Sequence, residues 1–372
     1  MSFAKPKSRR IHELDLLRGF FIVVIILDHL QFWPSPLQYV TGQGKLWVSA
    51  AEGFFLISGL LIGYLRIYKA WHVPLADIAK KLASRALLLY LWCVGITFAV
   101  VGLTVLLPGN DGLLPKLPDS SQLASLPTYI WSVVSTQYAS DWIYFLRLYA
   151  IMLLISPAFI WLIRRGLWYV ALALSLGIYA MSLLFGINEG AMQWQILFFG
   201  AALLGWKLET ILSWLRSHQS LRNGLIISLI AVTLLTMATS YFFVHGWGIV
   251  ESPSTSISRD AYVSIRANVD PLFSNNPMVP LRIGLAFIWF FGLLALFHVT
   301  KQHILRRLGW LLMPFGQQSL SIYCLQAIIL TIFLSFVSLT GSFWLNGLVG
   351  VAVVVGIWGI MRISLVQRLL PK

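Results

Sequence analysis

The chain has 372 residues, of which 58% are hydrophobic and 11% charged, and its mean hydropathy is +0.81. A water-soluble domain must keep too much of its surface wet to reach such values, so one helical bundle in a lipid bilayer replaces the two or three soluble domains that length alone would suggest. The net charge of +14 sits in short segments between apolar runs, which excludes nucleic acid as the natural partner and reads as a topology signal.

In chain order, Lys5, Lys7, Arg9 and Arg10 precede an apolar stretch, as in a signal peptide. That stretch is interrupted or ended by Asp15, Arg18, Asp28 and His29, and no small-x-small cleavage site follows. It is expected to stay as the first helix. The apolar runs are 16–33, 47–66, 86–107, 142–163, 167–186, 194–213, 224–245, 282–300, 315–339 and 343–363. Most approach the ~20 residues that cross a hydrocarbon core. Lys207 and Glu209 shorten the sixth run, and the ninth opens on polar residues.

The expected fold is therefore an all-α integral membrane protein, a single bundle of about ten transmembrane helices spanning residues 1–372. With both termini cytoplasmic, 20 of the 27 Lys and Arg residues fall on the inner side. The outer side holds Lys45, Lys116, Arg147, Arg259, Arg266 and Arg282. A wrong helix count would flip the later loops and destroy this asymmetry. Two extracytoplasmic loops are long. Residues 108–141 carry four prolines and an aromatic stretch (Tyr129, Trp131, Tyr138) suited to the membrane interface. Residues 246–281 include Glu251, Arg259, Asp260, Arg266 and Asp270, and read equally as a solvated connection or as an outer lid or glycan-binding loop. Cys93 and Cys324 each lie inside an apolar run, with no disulfide framework and no metal site.

Ionisable groups at membrane depth cost at least ~2.5–3.5 kcal/mol each and usually face the bundle interior. Arg18 and His29 are eleven residues apart, within ~20° of three full turns, so they share a face about 16 Å apart. Asp28 points ~100° away from His29. Glu52, in AAEGFFLISG, lies about as deep in the second helix as His29 in the first, so the two are expected to pair, with the carboxylate orienting the imidazole as a general base requires. Gly59 and Gly63 form a small-xxx-small pair that permits close helix approach. Arg18, with Arg85 at the start of the third run, suits a phosphate site at the cytoplasmic end. Arg147, Trp194, Gln195 and Arg282 open helices on the side where His29 emerges, where anchoring at the interface is the plainer role. Ser319, Ser321, Tyr323 and Gln326 give the ninth helix a polar stripe that must face protein.

At these residues the chain resembles the membrane acyltransferase-3 superfamily, and within it the OpgC-type branch. Arg18-x10-His29 matches the Arg/Lys-x10-His signature, and AAEGFFLISG (50–59) is similar to the second-helix motif ending Phe-x-x-Ser-Gly. RLYAIMLLISP (147–157), QWQILFFGA (193–201) and GQQSLSIYCLQ (316–326) recur in order along most of the chain. The resemblance implies transfer of an acetyl or succinyl group from cytoplasmic acyl-CoA, the donor substrate, to an extracytoplasmic glycan. It implies His29 as the catalytic base with Glu52 beside it and Arg18 on the donor, where Arg85 joins it by its place at the start of the third run. Asp28, Arg147, Trp194, Gln195, Tyr323 and Gln326 are the expected acceptor-side contacts. Many relatives carry His where this chain has Gln326. The competing reading is a proton-coupled transporter or flippase built on the same Arg, His and Glu set. Either protein sits in the cell membrane with the lipid bilayer as its first partner.

Overall fold

A computed structural model describes residues 11–109, 112–187, 189–250 and 258–369. Lys5, Lys7, Arg9, Arg10, Glu251 and Lys372, which entered the charge and loop readings, lie outside the described residues.

The described chain is helical, with no strand and one isolated bridge between Asn275 and Met278. The principal helices are α1 (His12–Leu30), α2 (Ala50–Leu61), α3 (Leu75–Leu106), α4 (Leu126–Val134), α5 (Tyr144–Arg164), α6 (Trp168–Leu184) and α7 (Gly190–Trp206). They continue with α8 (Leu208–Ser217), α9 (Gln219–His245), α10 (Arg259–Val269), α11 (Pro280–Gln317), α12 (Ser319–Phe336) and α13 (Phe343–Ile360).

Every apolar run coincides with a helix, but not every helix can cross a membrane by length and composition. Among the described residues seven do so alone, and α7 with α8, bent by 56° where Lys207 joins them, makes an eighth. The expected count of ten is thus not reached on this ground. The 19 residues of α1 include Glu13, Asp15, Arg18 and Asp28, which make it too charged. The 17 residues of α6 rise only ~26 Å, short of a ~30 Å core.

Hydropathy also misplaced two boundaries. α3 begins eleven residues before run 86–107, because LADIAKKLASR is polar yet made mostly of good helix formers. α11 likewise runs unbroken through Lys301, Arg306 and Arg307 for 38 residues, roughly 57 Å. Apolar runs report where a helix is greasy, not where it stops.

α1 is the central helix, packed most extensively on α11 and also touching α2, α12 and α13. α2 packs on α7, and α3 on α5. The α2–α7 contact is made by glycines. A Cβ at Gly59 would collide with the Phe198 carbonyl, one at Gly63 with that of Ala202, and one at Gly205 with that of Leu60. The expected close approach is real, and backbone meets backbone along it. From Ile62 the helix relaxes into a π-helical stretch, Ile62–Tyr68, that contains Gly63 and whose Tyr64 hydroxyl donates to Glu209 at 2.8 Å.

Residues 108–141 include α4, whose Leu126 and Trp131 are exposed while Ser132 and Val133 are buried. Such a two-faced short helix suits an interface. The segment after α9 folds into α10 and a turn, Asp270–Phe273, that leads into α11.

Candidate functional site

His29 occupies the last turn of α1, and its neighbours fix the ring. Its Nδ1 lies 3.2 Å from Oε1 of Gln326, near the middle of α12. An amide oxygen only accepts, so the contact is a hydrogen bond when Nδ1 carries the proton, the tautomer that leaves Nε2 its lone pair. Trp142, just before α5, stacks on the imidazole at 5.5 Å and 12°. An indole face there favours a positively charged ring. No sequence signal marked Trp142, since stacking across helices leaves no spacing pattern.

Glu52 is not the partner of His29, contrary to expectation. It is fully enclosed, and its Oε2 accepts from the backbone N–H and the hydroxyl of Ser49 in a capping box that opens α2. Its Oε1 holds the guanidinium of Arg282, from the first turn of α11, through Nε and a terminal nitrogen. Arg282 donates a further bond, 3.0 Å, to the Phe273 carbonyl. A buried cation on another helix, which spacing along the first two helices cannot reveal, claims the carboxylate instead.

His29 and Arg282 line one cavity of about 450 Å³. Asp28 and Trp194 also reach it, so two expected contacts are placed there. Lys45, Trp47, Arg266, Asp270 and Phe273 complete much of its wall. Trp47 and Phe273 stack at 4.1 Å and 10°, and Arg266 pairs with Asp270 at 2.9 Å. Arg266, Asp270, Ser274 and Asn275 of loop 246–281 thus line the histidine cavity, whereas Arg259 and Asp260 of the same loop do not.

A second cavity, about 150 Å³, holds both Arg18 and Arg85 in its wall, with Ser58, Tyr149, Ser319 and Tyr323. No carboxylate lines it, so its polar groups are cationic or neutral. Such a lining fits phosphate or another anion. Tyr323 thus stands with the arginines, apart from the acceptor-side set in which it was expected. Ile25, Ala51 and Phe145 line both cavities.

Two expected contacts serve elsewhere. Arg147 pairs with Glu189 at 3.0 Å and lines neither cavity. Gln195 is buried and holds α7 to α6, accepting from the Ser175 hydroxyl at 2.6 Å and donating to its carbonyl at 2.7 Å. Gln326 lines neither cavity but supports His29 from behind, and its amide nitrogen has no hydrogen-bond partner among the described residues. Also among the described residues, no three His, Cys, Asp or Glu side chains group as metal ligands would.

Neither a curated protein nor a solved structure matches the chain. The family model described as OpgC protein does match, over residues 10–368, and with nearly the whole chain covered this protein belongs to the OpgC family.

Proposed function

We propose that the protein is a membrane O-acyltransferase that moves a short acyl group, acetyl or succinyl, from cytoplasmic acyl-CoA to a hydroxyl of an extracytoplasmic glycan. OpgC membership points to a membrane-associated, glycan-modifying transferase. The observation that carries the finer reading is the pair of cavities set back to back along α1, one with Arg18 and Arg85, the other with His29. In this reading ten helices cross the plasma membrane with both termini inside, as the distribution of Lys and Arg favours. The arginine cavity then faces the donor and the histidine cavity the acceptor.

Arg18 and Arg85 hold the donor's anionic groups, with Tyr323, Ser58 and Ser319 as neutral hydrogen-bonding neighbours. The thioester supplies an activated carbonyl carbon. Nε2 of His29 takes the proton of the acceptor hydroxyl, and the oxygen bonds to that carbon. The carbon–sulfur bond breaks, and the imidazolium returns its proton to the departing thiolate. Gln326 holds the tautomer this requires, and Trp142 steadies the cation formed midway. Glu52 acts at one remove by fixing Arg282, and Asp28 and Trp194 face the acceptor.

The test is transfer of label from acetyl- or succinyl-CoA to candidate glucans by purified protein in liposomes. His29→Ala is expected to lose about 10²–10⁴-fold in rate while eluting and melting as wild type does. An alanine variant of wild-type rate sinks the proposal. Substrate flux in the absence of acyl-CoA, lost on the same substitution, would support the transporter in its place.

A further inference from the structure

The two cavities differ in their polar residues, but what they have in common is apolar. Three side chains, Ile25, Ala51 and Phe145, stand in the walls of both. They come from α1, α2 and α5, three helices that converge there. Ile25 and Ala51 are buried in the core. Phe145 is only partly buried, and it is held by other rings. Trp194 lies 4.8 Å from it at 59°, and Phe55 5.9 Å from it at 68°.

We infer that Ile25, Ala51 and Phe145 form an apolar partition between the two cavities, and that Phe145 is the side chain whose size and position decide what passes. The inference rests on the proposed two-sided use of the cavities. A protein with water-accessible space on both sides of a bilayer must block ions where the spaces meet. A hydrophobic constriction does so by excluding water, so no charged gate is needed. The same constriction lies between Arg18 and His29, on the path from donor site to base. Any acyl group reaching His29 from the arginine cavity has to displace or slip past the ring of Phe145. The ring therefore sets an upper size on the acyl group, and its aromatic neighbours return it to the closed position. Ala51 is the small member of the three and leaves room for the ring.

A leak, if the partition is opened, has a predicted sign. Lys45, Arg266 and Arg282 outnumber Asp28 and Asp270 in the histidine cavity, and Arg18 and Arg85 stand on the other approach, so the path is expected to select anions. Liposomes loaded with a halide-sensitive dye and reconstituted with the full chain are expected to be tight to iodide with wild-type protein. Phe145→Ala is expected to raise iodide entry several-fold without raising potassium entry. Phe145→Leu, which keeps an apolar side chain among Phe55 and Trp194, gives a smaller rise and guards against a folding defect in the alanine variant. Phe145→Trp stays tight and lowers transfer from succinyl-CoA more than transfer from acetyl-CoA.

Liposomes as tight with both smaller variants as with wild type overturn the partition, whatever the transfer assay shows. A leak that admits potassium as readily as iodide overturns the route past the arginines. A leaky Phe145→Ala together with a wild type that transfers no acyl group keeps the partition and removes the enzymatic reading.

Discussion

At the scale of single residues, the Glu52–Arg282 pair is where burial and charge are most at odds. Both groups are removed from solvent, and their stability comes from mutual contact together with Ser49 and the Phe273 carbonyl. Removing one partner of such a pair strands the other, at ~3–5 kcal/mol. Glu52→Gln is therefore expected to lower the unfolding free energy in detergent by about that much, and Glu52→Gln with Arg282→Met to recover most of it. If the double variant unfolds as easily as the single, the pair is not the origin of the loss. Gln326 makes a different claim. Its bond to His29 fixes a tautomer, so Gln326→Leu should cost ~1 kcal/mol of catalytic advantage, roughly fivefold in kcat, with KM for the donor unchanged. A shift in KM alone would argue that Gln326 touches substrate. The residues of the site were legible one helix at a time. Arg18-x10-His29 reads directly from helical periodicity, whereas Gln326 behind His29 and Arg282 on Glu52 bridge 297 and 230 residues of chain, a span no local spacing encodes.

Between elements, the α2–α7 contact turns on glycines whose neighbours are backbone atoms, which cannot rotate aside. Gly59→Ala is expected to destabilise by ~1–3 kcal/mol through overpacking. Gly177 in α6 has nothing near the position a Cβ would take. Gly177→Ala should stabilise by ~0.5–1 kcal/mol, since glycine inside a helix costs that much relative to alanine. Opposite signs for one chemical change, read by thermal unfolding, test the packing. Equal effects would mean that helix propensity and not contact decides. Here the sequence pattern shows a face, Gly59 and Gly63 one turn apart, but not the opposing face, because Gly205 belongs to a helix that spacing alone cannot assign as the neighbour. The polar extensions of α3 and α11 were missed for a related reason. Hydropathy measures what lipid tolerates, while Lys, Arg and Ala are good helix formers in water whether or not lipid would accept them.

At the scale of the whole molecule, the charge asymmetry and the packing supply separate constraints. Reporter domains fused after residue 372 and within loop 108–141 are expected on opposite sides of the membrane, the first cytoplasmic. Both on one side would require an odd change in the number of crossings. The helical class and the order of helices were legible because apolar runs of this length have few other uses. The number of crossings was less so, because α1 gives up part of its apolarity to carry Arg18, Asp28 and His29. That concession has a consequence for biogenesis. A segment of 19 residues with four charged side chains is a poor substrate for insertion on its own. Its principal packing partner, α11, leaves the ribosome more than 250 residues later. The helix that bears the reactive histidine is thus among the first made and among the last to be secured in lipid. A chain truncated before Pro280 should leave α1 open to protease, whereas the full chain shields it.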